Sequence, residues 1–146
     1  MTLLAINVKS ILMLAILAII AVSCAKMMSR GRDNKTAGAL TGYSSVDVEQ
    51  FQALIADPAV QLLDVRTREE YDEGHIARSI LVDVNENDFA DRAAAVLDKQ
   101  RPVAVYCRSG RRSARAANLL VELGYKVTNL TGGVMAWQDA GKSLVK

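Results

Sequence analysis

From Tyr43 onward the apolar positions follow two rhythms, helical spacing in some stretches and short unbroken runs in others. Asp47-Val48-Glu49-Gln50 sets an acid at a helix N-cap with a glutamine three residues on, the spacing of a capping box. Phe51, Leu54 and Ile55 mark one face of the helix that follows, and Asp57-Pro58 ends it. Val60–Val65 reads as a buried strand carrying Asp64 near its end. Thr67-Arg68-Glu69-Glu70 is a second capping box, opening a short helix that Gly74 closes. Ile80–Val84 is the next predicted strand, and Asp88–Leu97 an amphipathic helix carried by Phe89, Ala93, Val96 and Leu97. Pro102–Tyr106 is too short and too β-branched for a helix and reads as a strand. Ser113–Leu123 puts Ala116, Leu119, Leu120 and Leu123 on one helical face, with Gly124 at its C-terminal cap. A strand at Lys126–Leu130 and a helix at Val134–Ala140, holding the only tryptophan, Trp137, complete the series.

Strands alternating with helices at these spacings predict an α/β fold: a mostly parallel central sheet with helices on both faces. Ligands of such sheets gather outside the carboxyl ends of the strands. The 146 residues suit a single compact domain, and 51% hydrophobic with 23% charged residues excludes a disordered chain. Two cysteines, Cys24 and Cys107, exclude a disulfide framework and a four-cysteine zinc site, and no metal or cofactor is expected.

The net charge of +2 divides unevenly. Residues 25–42 carry a net +3, whereas Tyr43 to the end carries 13 Lys+Arg against 15 Asp+Glu. A slightly acidic domain argues against a broad nucleic-acid-binding surface. The basic excess belongs to the N-terminus, where Lys9 precedes the apolar run Ile11–Val22. Twelve residues fall short of the roughly 20 that a membrane-crossing helix needs, and they suit the h-region of a secretory signal. Ala21-Val22-Ser23-Cys24 resembles a bacterial lipobox, with alanine where leucine is usual, and Cys24 is the candidate for lipidation. Residues 1–24 thus read as an export or lipoprotein signal, 25–42 as a flexible basic linker and 43–146 as the domain. A bacterial cell-envelope or periplasmic protein tethered to membrane by its N-terminus is the expectation. Ordinary signal-peptidase cleavage and an uncleaved anchor extended by Leu3–Ile6 are the alternatives.

The stretch Tyr106-Cys107-Arg108-Ser109-Gly110-Arg111-Arg112-Ser113 carries the chemistry. A cysteine leaves a buried strand, a short loop follows, and a helix begins. Successive N–H groups of such a loop form an anion-binding nest around the sulfur, and the helix N-terminus adds positive field. Arg108, Arg111, Arg112 and Arg115 crowd into the same short stretch. These features favour thiolate over thiol and mark Cys107 as a nucleophile. Gly110 permits the positive φ that a tight cradle needs. A lone cysteine at a strand end is ordinarily a small core residue and an arginine cluster ordinarily a solvated face. Strand, cysteine, glycine loop, arginines and helix start together are a site.

Here the sequence resembles the rhodanese family of sulfurtransferases. Cys107 to Ser113 matches the family's active-site loop, with the catalytic cysteine first in a six-residue loop. Leu63-Asp64-Val65-Arg66-Thr67-Arg68-Glu69-Glu70-Tyr71 followed by Gly74-His75-Ile76, and Leu130-Thr131-Gly132-Gly133-Val134-Met135-Ala136-Trp137, resemble its two flanking signatures. The resemblance spans about residues 44–141 and departs at Ala77-Arg78-Ser79, where a Pro-Gly-Ala-like turn is common. It implies a Cys107 persulfide formed from thiosulfate and passed to cyanide or a thiol. Arg108, Ser109, Gly110, Arg111, Arg112 and Ser113 would hold the small anionic donor. Asp64, at the end of a buried strand, suits bracing the active loop by accepting backbone N–H bonds, and Arg66 suits lining its entrance; both read as structural rather than catalytic. A monomer without nucleic-acid partners is expected.

Other residues read as structural. His75, the only histidine, invites pairing with Cys107, yet the family's Gly-His-Ile is a turn. Trp137 anchors the last helix, and Gly132-Gly133 makes a tight turn, since no P-loop pattern accompanies it. A lipidated or cleaved Cys24 takes no part in a disulfide with Cys107. Two competing functions remain. One is a persulfide carrier or partner-binding rhodanese-like module. The other is a cysteine-dependent phosphatase or arsenate reductase, disfavoured because the required arginine six places after the cysteine is Ser113 here.

Overall fold

The structure, a computed structural model, describes residues 42–146. The expected signal segment, Cys24 and the linker up to residue 41 lie outside the described residues. In chain order the elements are β1 (Ser44–Val46), α1 (Val48–Ile55), β2 (Gln61–Asp64), α2 (Arg68–Glu73) and β3 (Ile80–Leu81). They continue as α3 (Phe89–Val96), β4 (Val103–Tyr106), α4 (Arg111–Glu122), β5 (Val127–Leu130) and α5 (Gly133–Asp139). The strands form one sheet in the order β1-β5-β4-β2-β3, and every pairing is parallel.

Central β4 shows why the sheet is covered on both sides. Its residues alternate between two cores: Val103 and Val105 join Leu63, Phe89, Ala93, Ala116, Ala117 and Leu120, whereas Ala104 and Tyr106 join Phe51, Leu130, Val134 and Trp137. The first core is roofed by α3 and α4, the second by α1 and α5. Phe51 and Leu63 are fully buried, each burial stabilising the fold by about 1.5–3 kcal/mol. Trp137 anchors α5 as expected, meeting Phe51 edge-on at 6.5 Å and donating from Nε1 to the Ser143 carbonyl at 3.1 Å.

Both capping boxes form. The Gln50 N–H reaches Asp47 Oδ1 at 2.9 Å, and the Glu70 N–H reaches Thr67 Oγ1 at 3.3 Å, each reciprocated by the later side chain. The departures from expectation are one strand and several element ends. Strand β1 was not foreseen, because Ser44-Ser45-Val46 is an exposed edge strand with too little apolar character to announce itself. Only Ile80 and Leu81 of the expected Ile80–Val84 strand stay in the ladder, although Val82 and Val84 remain buried against β2. Helix α3 ends at Val96, which is 48% exposed, and Leu97 takes the inward place because the chain there turns extended. Helix α4 starts at Arg111, two residues before the predicted Ser113, which puts Arg111 and Arg112 in its first turn. Arg78 sits in the Ala77-Arg78-Ser79 turn with φ 68, a left-handed conformation rare for a side-chain-bearing residue, and donates to the Ile55 carbonyl. This turn leads directly into β3 at Ile80.

Candidate active site

Cys107 follows β4 directly and is 1% exposed, at the carboxyl end of the sheet where the topology predicts a ligand. The chain wraps around its sulfur. The Gly110 N–H donates to Sγ at 3.1 Å, and the Ser113 Oγ lies 3.4 Å from Sγ and 3.2 Å from the Gly110 carbonyl. The Ser113 hydroxyl has one proton, so it serves the sulfur when that atom is ionised. Burial pushes the Cys107 thiol up, and hydrogen bonds from the Ser113 hydroxyl and the N–H groups of Ser113, Ser109 and Gly110 outweigh it. The net direction is down, toward thiolate. The loop can wrap this tightly because Gly110, the N-cap of α4, adopts φ 92.

Something must hold the loop in that shape. The Cys107 and Arg108 carbonyls accept from the Val134 and Met135 N–H groups at 2.8 and 3.1 Å, so the first turn of α5 takes both carbonyls and leaves the loop's N–H groups to the sulfur. This contact requires Gly133, where a Cβ would lie 2.4 Å from the Cys107 carbonyl oxygen and 2.6 Å from that of Arg108. Gly132-Gly133 does make the tight turn that was expected, and it also clamps the cysteine loop. The sequence showed the turn; the clamp depends on two strands lying side by side.

The arginines divide into two kinds. Arg112 is held by Glu70 through two hydrogen bonds of 2.7 Å, one from each terminal nitrogen. Glu70 is pulled below its ordinary carboxylate value chiefly by Arg112, so the pair stays ionised. Arg115 donates to the Val84 carbonyl at 2.7 Å and to Asn85. Arg108 and Arg111 are exposed, with no ion pair or hydrogen bond from their guanidinium groups among the described residues. Glu70 was missed as a site residue because its place in the capping box already accounted for it.

Asp64 and Arg66 correct an expectation. Asp64 is fully buried and accepts from the Arg66 backbone N–H at 3.0 Å and from the Arg66 guanidinium at 2.7–3.0 Å. The guanidinium goes on to the Gly74 carbonyl at 2.8 Å. Arg66, 4% exposed, therefore does not line the entrance, and Asp64 braces the turn before α2 rather than the cysteine loop. The carboxylate answers a charge two residues away, a pairing that leaves neither group for substrate. His75 stacks on Tyr71 at 3.7 Å, and its Nδ1 meets the Tyr71 carbonyl at 3.1 Å, a structural turn as expected. The neighbouring turn is fixed by buried Tyr106, whose hydroxyl donates to Ser79 Oγ at 3.1 Å and accepts from the Ile76 N–H at 3.0 Å. Among the described residues no cluster of three or more His, Cys, Asp or Glu could hold a metal ion.

Residues 47–140 match the family model for the rhodanese-like domain. The chain belongs to this family. It is 36% identical to "Thiosulfate sulfurtransferase 18" of Arabidopsis thaliana over 107 residues, covering 65% of this chain and 78% of that one. It is 34% identical to a "Sulfurtransferase" of Allochromatium vinosum over 104 residues, covering 70% and 94% of the two chains. Among solved structures, a rhodanese-related protein from Thermoplasma volcanium superposes with a TM-score of 0.63 at 31% identity, covering 70% of this chain and 98% of that one. The rhodanese-like domain of an Anabaena protein superposes at 0.62 with 32% identity, covering 69% and 77%. In this rhodanese-like domain the pH dependence of Cys107 follows from its hydrogen bonds. Alkylation by iodoacetamide should rise with pH to a plateau whose midpoint lies below that of an ordinary cysteine. Ser113→Ala removes a donor that favours the thiolate, so its midpoint should move upward.

Proposed function

We propose that this protein is a rhodanese-type sulfurtransferase that takes sulfane sulfur from thiosulfate and passes it to a thiophilic acceptor through a Cys107 persulfide. The observation that supports this reading most is the buried sulfur with hydroxyl and backbone donors converging on it at the head of a helix. The Cys107 thiolate attacks the outer sulfur of thiosulfate. An Sγ–S bond forms as the S–S bond of thiosulfate breaks, and sulfite leaves with the electron pair. The acceptor, a thiolate or cyanide, then attacks the outer sulfur of the persulfide, and Cys107 recovers its electron pair as the thiolate. Neither displacement needs a general base, because both nucleophiles are already ionised. The converging donors that stabilise the thiolate also suit a persulfide anion.

Exposed Arg108 and Arg111 draw in the dianionic donor and orient its sulfonate at the mouth of the cradle. Alanine at either position should raise KM for thiosulfate about 3- to 10-fold, the gap narrowing as salt screens the attraction. The direct test is intact mass after exposure to thiosulfate. A gain of one sulfur atom at Cys107, discharged by cyanide as thiocyanate, is expected; no gain removes thiosulfate as the donor. A persulfide loaded only by another persulfide-bearing thiol would identify a carrier instead. The apolar run Ile11–Val22 and Ser23-Cys24 support an exported form tethered to a bacterial membrane, tested by the mass of the mature protein recovered from membranes.

A further inference from the structure

A guanidinium beside a nucleophilic cysteine is a ready clamp for a tetrahedral oxyanion, because its fork matches two oxygens at once. Arg112 stands in the first turn of the helix that follows the cysteine loop, next in sequence to Ser113, whose Oγ lies 3.4 Å from the Cys107 sulfur. Its fork, however, is already filled. Both terminal nitrogens face the two Glu70 oxygens at 2.7 Å, and Glu70 is itself held by the Thr67 N–H at 3.2 Å. The two side chains are 26% and 24% exposed, so the pair stands at the edge of the site rather than in the core. No other carboxylate forms an ion pair with a loop arginine among the described residues.

We propose that Glu70 is a specificity-determining residue. By occupying the fork of Arg112 it denies the cradle the donor pair that would hold an oxyanion against the Cys107 sulfur, and so reserves the cradle floor for a single sulfur atom. The inference rests on the sulfur-transfer reading for the position of the donor. In thiosulfate the atom under attack is the outer sulfur, and the sulfonate stands one S–S bond, about 2 Å, farther from Sγ. Its oxygens therefore meet the free Arg108 and Arg111 at the mouth. In phosphate or arsenate the central atom itself must approach Sγ, which brings the oxygens a bond length closer to the sulfur and to the helix start that carries Arg112. A filled fork penalises the second geometry and leaves the first almost untouched.

Inorganic phosphate is the probe, and two quantities are compared: its protection of Cys107 against iodoacetamide, and the KM for thiosulfate. In Glu70→Gln the neutral amide no longer saturates Arg112. The phosphate protection constant should tighten at least about fivefold relative to any change in thiosulfate KM. The gain should vanish in the Glu70→Gln, Arg112→Lys double variant, which keeps the charge change but removes the fork. Glu70→Asp, which withdraws the carboxylate by one methylene, should show a smaller gain in the same direction and serves if the glutamine variant does not fold. Phosphate and thiosulfate tightening in parallel, no tightening at all, or a gain that survives in the double variant would each overturn the proposal. The protection assay needs no turnover. A wild type that forms no persulfide from thiosulfate yet shows this protection pattern would sink the sulfur-transfer reading alone.

Discussion

Replacing Cys107 with serine is expected to lower thiosulfate:cyanide sulfur transfer by at least about 10³-fold, while the unfolding temperature stays close to that of the wild type. The substitution exchanges sulfur for oxygen in a site that is 1% exposed, with almost no change of volume, and a hydroxyl can use the Gly110 and Ser113 hydrogen bonds. What it cannot do is ionise at neutral pH or carry a transferable sulfur. The two readouts separate chemistry from folding, and residual turnover above about one per cent of wild type would show that Cys107 is not the sulfur carrier. The same variant should gain no sulfur on exposure to thiosulfate.

The second large effect is expected at a position with no reacting atom. Gly133→Ala would place a methyl group 2.4 Å from the Cys107 carbonyl oxygen, at a residue with φ 60. Both the close approach and the left-handed backbone oppose a side chain, and the obstructing atoms are main chain that cannot rotate away. Destabilisation of about 3 kcal/mol or more is expected from denaturant unfolding. Any folded remainder should show slower alkylation of Cys107, because a loop pushed off α5 loses the shape that aims its N–H groups at the sulfur. Wild-type stability with wild-type alkylation would mean that the loop is shaped without the clamp.

The elements with strong periodicity were plain in the sequence: α1 with its capping box, β4 with its Val-Ala-Val-Tyr alternation, and α4 with its apolar stripe. The cysteine loop was plain too, because strand, glycine and helix punctuate it within a few residues. What stayed hidden depended on partners far along the chain. Ser44–Val46 becomes a strand only because β5 lies beside it. The start of α4 was placed late because Gly110 caps it through a left-handed backbone rather than a side chain, and Arg111-Arg112 look like loop. In sequence Arg66 reads as an entrance residue, whereas its guanidinium is buried against Asp64; Glu70 reads as a cap, and its partner Arg112 lies 42 residues along the chain.

The first N–H groups of a helix have no partners within it, and an ordinary helix settles them with a side-chain cap or water. Helix α5 has no side-chain cap, and the carbonyls of Cys107 and Arg108 accept from Val134 and Met135. The cysteine loop is thereby the missing cap of the last helix, which couples their local stability. Fraying of α5 from its N-terminal end would take away the donors that hold the Cys107 and Arg108 carbonyls. The donors that favour the Cys107 thiolate are thus held in place in part by the last helix.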